Sequence, residues 1–110
     1  MAEIKELKNI EDFNEFVGNP SGLNVLKIGA DFCMPCKMLE EELRSLNLDE
    51  VTGVRLAKVD ADEEWFEDTA DELGIRGIPV MIAYKDGKET ERVVGMQQKN
   101  AIIEFFTRNK

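Results

Sequence analysis

Residues 23–39 read LNVLKIGADFCMPCKML and join an apolar segment to a closely spaced pair of cysteines. The segment at residues 23–30 is almost continuously apolar, as expected for a central strand that is buried on both faces. A helix is predicted over residues 35–46, with Pro35 in its first turn, where the missing N–H costs nothing. Cys33 is therefore predicted to lie where a strand gives way to a helix.

A cysteine at the start of a helix is set up to ionise. Unpaired backbone N–H groups and the positive end of the helix dipole both favour the thiolate, which is the nucleophilic form. Cys33 has this setting, and Cys36 follows one helical turn later, where it can close back as a disulfide. Since these are the only two cysteines, the pair is predicted to exchange between dithiol and disulfide.

The length and composition limit the classes of protein to which the chain can belong. A chain of 110 residues is expected to form one domain over residues 1–110, with a core of its own. A net charge of −9 argues against binding to nucleic-acid phosphates, which depends on Lys and Arg. No apolar stretch suits a signal peptide or a membrane span, so we expect no membrane association and a reducing cytosol.

The residue types also limit the chemistry. The chain has no histidine, which excludes Ser-His-Asp and Cys-His nucleophiles and His-ligated metals. Tetrahedral zinc prefers four nitrogen or sulfur ligands, and this chain offers only two cysteines. We therefore expect no metal and no cofactor, which leaves redox exchange as the chemistry of the cysteine pair.

Apolar periodicity predicts alternating strands and helices along the chain. Strands are predicted at residues 4–7, 23–30, 54–59, 80–84 and 89–94. Helices are predicted after an Asn9 cap and at residues 35–46, 64–73 and 100–106. The third helix is expected to end at Gly74, and residues 85–88 are expected to form a hairpin turn. The order βαβαβαββα predicts an α/β fold with a central mixed sheet flanked by helices and an antiparallel hairpin at its edge. Glu40 and Arg44 are expected to pair on the solvent side of the second helix.

Three blocks of sequence resemble the thioredoxin family in order and spacing. They are ADFCMPCKM at residues 30–38, GIRGIPV at 74–80 followed by YKDG at 84–87, and Val94 with Gly95. The resemblance runs from Leu23 to the C-terminus and implies the thioredoxin fold. It also implies that the protein reduces disulfides in protein substrates and is recharged by a thioredoxin reductase-type donor. In such a reaction Cys33 attacks the substrate and Cys36 resolves the mixed disulfide.

The resemblance further implies a substrate surface around the cysteines and a cis bond between Ile78 and Pro79. Backbone groups of Ile78 would then pair with an extended substrate strand. The alternative for Pro79 is an ordinary strand start, and Met96 suits either an apolar rim or the core. The expected substrate-binding residues are Phe32, Met34, Pro35, Ile78, Pro79, Gly95 and Met96.

The sequence departs from the family pattern around the cysteines. Lys27 stands where the family has a buried aspartate, and Lys58 matches a lysine found near that aspartate. If Lys27 faces the sulfurs, its charge stabilises thiolate and favours the reduced form; alternatively it extends to the surface and contacts neither sulfur. Phe32 and Gly29 replace two tryptophans, and Met34 replaces a glycine.

These departures leave two other functions open. One is a redox-inactive interaction module, in which the fold serves as an accessory subunit. The other is a glutaredoxin-like protein that uses glutathione, although Ile78 before Pro79 is closer to the thioredoxin pattern. In every case nothing in the sequence requires more than a monomer.

Overall fold

The structure is a computed structural model, and it describes residues 2–110. In chain order the main elements are β1 (Lys5–Glu6), α1 (Ile10–Gly18), β2 (Leu23–Gly29), α2 (Met34–Arg44), β3 (Val54–Asp60), α3 (Glu67–Leu73), β4 (Val80–Lys85), β5 (Lys88–Val94) and α4 (Lys99–Asn109). Two short 3₁₀ helices lie at Leu48–Val51 and Glu64–Phe66. The predicted order βαβαβαββα is confirmed.

The strands form one mixed sheet in the order β1-β3-β2-β4-β5, so β2 is its central strand. β2 runs parallel to β3 and antiparallel to β4, with Ile28 opposite both Val59 and Val80. The antiparallel hairpin of β4 and β5 turns through Asp86 and Gly87, which both have positive φ. β1 pairs with β3 at only two positions, so this strand is shorter than the predicted residues 4–7.

Two apolar clusters cover the two faces of the sheet. Side chains of α2 and α4 pack on one face, and side chains of α1 and α3 pack on the other. Alternate residues of β2 therefore enter different clusters, with Val25 on the α2 face and Leu26 on the α1 face. The largest fully buried aromatic side chains are Phe16, Phe66, Phe105 and Phe106.

The predicted helix over residues 64–73 is divided in two. Glu63 makes no side-chain capping bond, and this segment begins with the 3₁₀ turn Glu64–Phe66, after which α3 follows. This turn directs Phe66 into the core, where its ring meets Phe13 edge to face at 5.7 Å. The end of the helix at Gly74 is as predicted, with this glycine in the left-handed conformation.

Candidate active site

The two cysteines lie at the carboxyl end of the central strand and form a disulfide. Cys33 and Cys36 have Cα atoms 5.2 Å apart, within the range that a disulfide requires. Cys33 is the N-cap of α2, and the backbone N–H of Cys36 donates to its Sγ at 3.3 Å. The predicted setting of Cys33, a sulfur that faces the free N–H groups of a helix start, is therefore present.

The two sulfurs differ in their access to solvent. Cys33 is partly exposed, whereas the exposed fraction of Cys36 is 0%. The difference follows from their places on the helix: Cys33 precedes the first turn, and Cys36 lies on the face that packs against β2. A substrate can therefore reach Cys33 first.

The loop that precedes β4 lies at the same end of the sheet as the cysteines. Val80 at the start of β4 pairs with Ile28 near the end of β2, which places Ile78 and Pro79 beside the end of the central strand. The predicted cis bond between Ile78 and Pro79 is present. The N–H of Gly95 donates to the carbonyl of Pro79 at 2.7 Å, so the loop after β5 is held to the same edge.

Several apolar side chains lie at the same end of the sheet as Cys33. Phe32 and Met34 are 78% and 64% exposed, and Pro35 is also exposed. Ile78 and Met96 are partly buried, which places Met96 outside the fully buried core. Met38, which the sequence patterns do not single out, is 46% exposed one turn along α2 from Met34. Single exposed apolar residues are common, but several large ones close together are typical of a surface that binds apolar partners.

Lys27 lies in the interior, so the part of the alternative in which it extends to the surface is wrong. As that alternative also expects, its ammonium makes no hydrogen bond to either sulfur among residues 2–110. Its side chain is only 8% exposed because β2 is the central strand and α2 lies over this face of the sheet. Its ammonium donates to Glu40 Oε1 at 3.2 Å. Lys58, the neighbour of Lys27 across the parallel strands, donates to Glu40 Oε2 at 3.1 Å.

Glu40 is bound by three cations, and the prediction that it lies on the solvent side is wrong. Besides the two lysines, Arg44 donates to Glu40 Oε2 at 3.0 Å, and the Glu40 side chain is 23% exposed. Partial burial would raise the pKa of Glu40, but hydrogen bonds from Lys58, Arg44 and Lys27 outweigh it and lower the pKa to about 2. Glu40 therefore remains a carboxylate at neutral pH.

This charged cluster forms a wall of a cleft beside the cysteines, with a cavity volume of about 390 Å³. Gly29, the last residue of β2, lines the same cleft, as do Ala30 and Asp31, which follow it toward the cysteines. Among residues 2–110, no group of three or more Cys, Asp or Glu side chains is arranged to hold a metal ion. In the same part of the chain, every helix is too short or too polar to cross a membrane.

Comparison with known proteins shows that this chain is similar to thioredoxins. The family model described as Thioredoxin matches residues 4–108. The chain is 38% identical over 99 residues to the thioredoxin of Chlamydia caviae, which is 90% of this chain and 92% of that protein. It is 34% identical over 89 residues to the thioredoxin of Staphylococcus saprophyticus, 81% of this chain and 84% of that protein.

Solved structures agree with the sequence matches. The X-ray structure of Fasciola hepatica thioredoxin superposes with a TM-score of 0.83 at 29% identity, covering 97% of this chain and 100% of that one. A mutant thioredoxin from Halobacterium salinarum gives a TM-score of 0.84 at 28% identity, covering 97% of this chain and 90% of that one.

Proposed function

The chain belongs to the thioredoxin family and is a thiol–disulfide oxidoreductase, and we propose that Cys33 is its attacking sulfur and Cys36 its resolving sulfur. The observation that carries these roles is the difference in exposure. Cys33 is partly exposed at the helix start, and Cys36 is fully buried behind it. A disulfide of a folded substrate can approach only the first of these sulfurs.

The reaction transfers two electrons from the dithiol to the substrate. The Cys33 thiolate attacks one sulfur of the substrate disulfide, which breaks the S–S bond, forms a mixed disulfide and releases a substrate thiolate. Cys36 then loses its proton to water and attacks Cys33 Sγ. This step forms the Cys33–Cys36 disulfide and releases the second substrate thiolate, and each released thiolate takes a proton from water.

The proposed substrates are disulfide-containing proteins that present an apolar, extended segment. The exposed side chains of Phe32 and Met34 supply apolar contact, and Pro35 extends this surface along the helix start. Ile78, Pro79, Gly95 and Met96 reach the same end of the sheet. Backbone groups of Ile78 can pair with an extended substrate strand in the manner of β-addition.

The remaining partners follow from the chemistry. A thioredoxin reductase-type donor is needed to return the disulfide to the dithiol, because each turnover consumes two electrons. A cytosolic location is part of the proposal, since an exchangeable dithiol needs a compartment that keeps thiols reduced. The proposal also includes a single domain and a monomeric state. The net charge of −9 supports the absence of a nucleic-acid partner.

Neither alternative function is favoured. The relatives that match over most of their length are thioredoxins, and both cysteines are present and paired, as exchange requires and a redox-inactive module does not. Lys58 and Lys27 are proposed to tune the thiols rather than to abolish their chemistry.

The Cys36→Ser variant tests the proposed roles. Without a resolving sulfur, the mixed disulfide cannot be released within the protein, so a covalent adduct with insulin should accumulate. The adduct is measured by non-reducing electrophoresis and mass spectrometry, and it should disappear on addition of dithiothreitol. The matched variant Cys33→Ser should form no adduct. If Cys33→Ser traps insulin as well as Cys36→Ser does, the assignment of the two roles is wrong.

A further inference from the structure

The buried side of Cys36 lies beside an ammonium group. If Gly29 carried a Cβ atom, that atom would lie 3.0 Å from Cys36 Cβ and 3.0 Å from Lys27 Nζ. Cys36 Cβ and Lys27 Nζ are therefore at most about 6 Å apart, the sum of the two distances. Because Gly29 has no side chain, the space between them stays open. Lys27 therefore brings a positive charge close to the side chain of Cys36, which is fully buried.

Glu40 explains why the ammonium lies there. Lys27 and Lys58 are neighbours in register on β2 and β3, and two adjacent cations repel each other unless a negative charge lies between them. Glu40 accepts from both lysines, at 3.2 and 3.1 Å. It follows Cys36 by four residues on α2, so their side chains lie on the same helix face.

We propose that Lys27 and Glu40 are a pair of positioning residues that set the protonation of Cys36 in the reduced protein. The Lys27 ammonium stabilises the Cys36 thiolate, and Glu40 holds that ammonium in place and limits its effect. The inference rests on the proposed role of Cys36 as the resolving sulfur, because that sulfur must ionise before it can attack Cys33.

The effect is electrostatic rather than a transfer of the proton to Glu40. The three cations lower the pKa of Glu40 to about 2, so this carboxylate is a poor acceptor for a thiol proton. A charge beside a thiolate in a buried site interacts with it far more strongly than it would in water. The charge balance around Lys27 therefore decides how easily Cys36 ionises.

Other charges face the same cleft and contribute to this balance. Arg44 and Lys58 share the carboxylate of Glu40. The remaining titratable groups that line the cleft are Glu6, Asp31, Lys37, Glu41, Asp60 and Glu63. None of these six forms an ion pair within 4.0 Å of Lys27 or Glu40 among residues 2–110, so the direct ion pairs across the cleft are those of Glu40 with Lys27 and Lys58.

Two substitutions should shift the Cys36 pKa in opposite directions. Lys27→Met removes the nearby cation and should raise this pKa by about 1. Glu40→Gln keeps an oxygen that accepts from Lys27 but removes the negative charge, and it should lower the pKa by a similar amount. The measurement is a pH titration of the cysteine ¹³Cβ signals by NMR in the fully reduced chain. The rate at which the mixed disulfide is resolved should follow the same pH shifts.

Glu42→Gln is the matched control, because it removes the same charge from a position of α2 that does not line the cleft. It should leave the Cys36 pKa nearly unchanged. A merely structural role would move both test variants in the same direction, toward an ordinary thiol. Opposite shifts support the proposal, and any other pair of shifts overturns it.

The test separates this inference from the proposed function. Thiol titration needs no turnover, whereas insulin reduction by the unmodified chain tests the function itself. If the unmodified chain reduces insulin but the opposite shifts are missing, only the inference fails. Should Glu40→Gln fail to fold, Lys27→Met decides alone, because an unchanged or lower Cys36 pKa in that variant overturns the proposal.

Discussion

The Cys33→Ser variant is expected to reduce insulin no faster than dithiothreitol alone. Cys33 is the sulfur that a substrate can reach, and serine cannot form a mixed disulfide, so no covalent step begins. The rate above background should fall by at least about 10³-fold, as for removal of a covalent nucleophile in other enzymes. The measurement is the turbidity of precipitating insulin chains in the presence of dithiothreitol.

The control for this variant is its fold. Cys33 lies outside the two apolar clusters, so the far-ultraviolet circular dichroism of Cys33→Ser should match that of the reduced unmodified chain. A folded variant without activity supports Cys33 as the nucleophile. If the folded variant still reduces insulin at a substantial fraction of the original rate, the chemistry does not pass through Cys33.

Phe66→Ala is expected to destabilise the protein by about 3–5 kcal/mol, the usual cost of removing a buried phenylalanine. Phe66 is 0% exposed, and its ring meets Phe13 and Trp65 edge to face at 5.7 and 5.4 Å. The substitution therefore leaves a cavity and removes two aromatic contacts. Its free energy of unfolding is measured by urea denaturation of the oxidised protein, compared with the unmodified chain.

Phe32→Ala is the matched control, because it makes the same chemical change at a side chain that is 78% exposed. Its cost should be within about 0.5 kcal/mol. Similar losses of stability in the two variants would mean that Phe66 is not in the core described above. A loss confined to Phe66→Ala agrees with the packing of α1 and the 3₁₀ turn on one face of the sheet.

Features that depend on local patterns are predictable from the sequence. The apolar run of β2, the Asn9 cap, the turn at Asp86 and Gly87 and the left-handed end at Gly74 are all present. Each of these features depends on residue types at neighbouring positions in the sequence, such as glycine where φ is positive.

Contacts between residues that are far apart in the sequence are not predicted by local sequence patterns. The i,i+4 pairing of Glu40 and Arg44 is confirmed, but no local pattern indicates that two strands bring Lys27 and Lys58 to the same carboxylate. The available signal is the placement of two lysines on buried strands, which requires a counter-charge.

The last helix shows the same dependence on distant contacts. α4 extends through Asn109, beyond the predicted residues 100–106. Asn109 is buried and donates to Glu91 on β5 at 2.8 Å, and Phe105 is buried in the core. Because these contacts come from the packed sheet, the periodicity of the segment alone does not predict where the helix ends.

Ionisation of Cys33 at the helix start is the central claim, and pH-dependent alkylation of this thiol tests it directly. In the Cys36→Ser variant, Cys33 is the single thiol, so its rate of reaction with iodoacetamide follows its thiolate fraction. We expect an apparent pKa below about 8, under the ordinary thiol value of about 8.5. An apparent pKa above about 9 would contradict the claim, because Cys33 would then be protonated at neutral pH and could not begin the exchange.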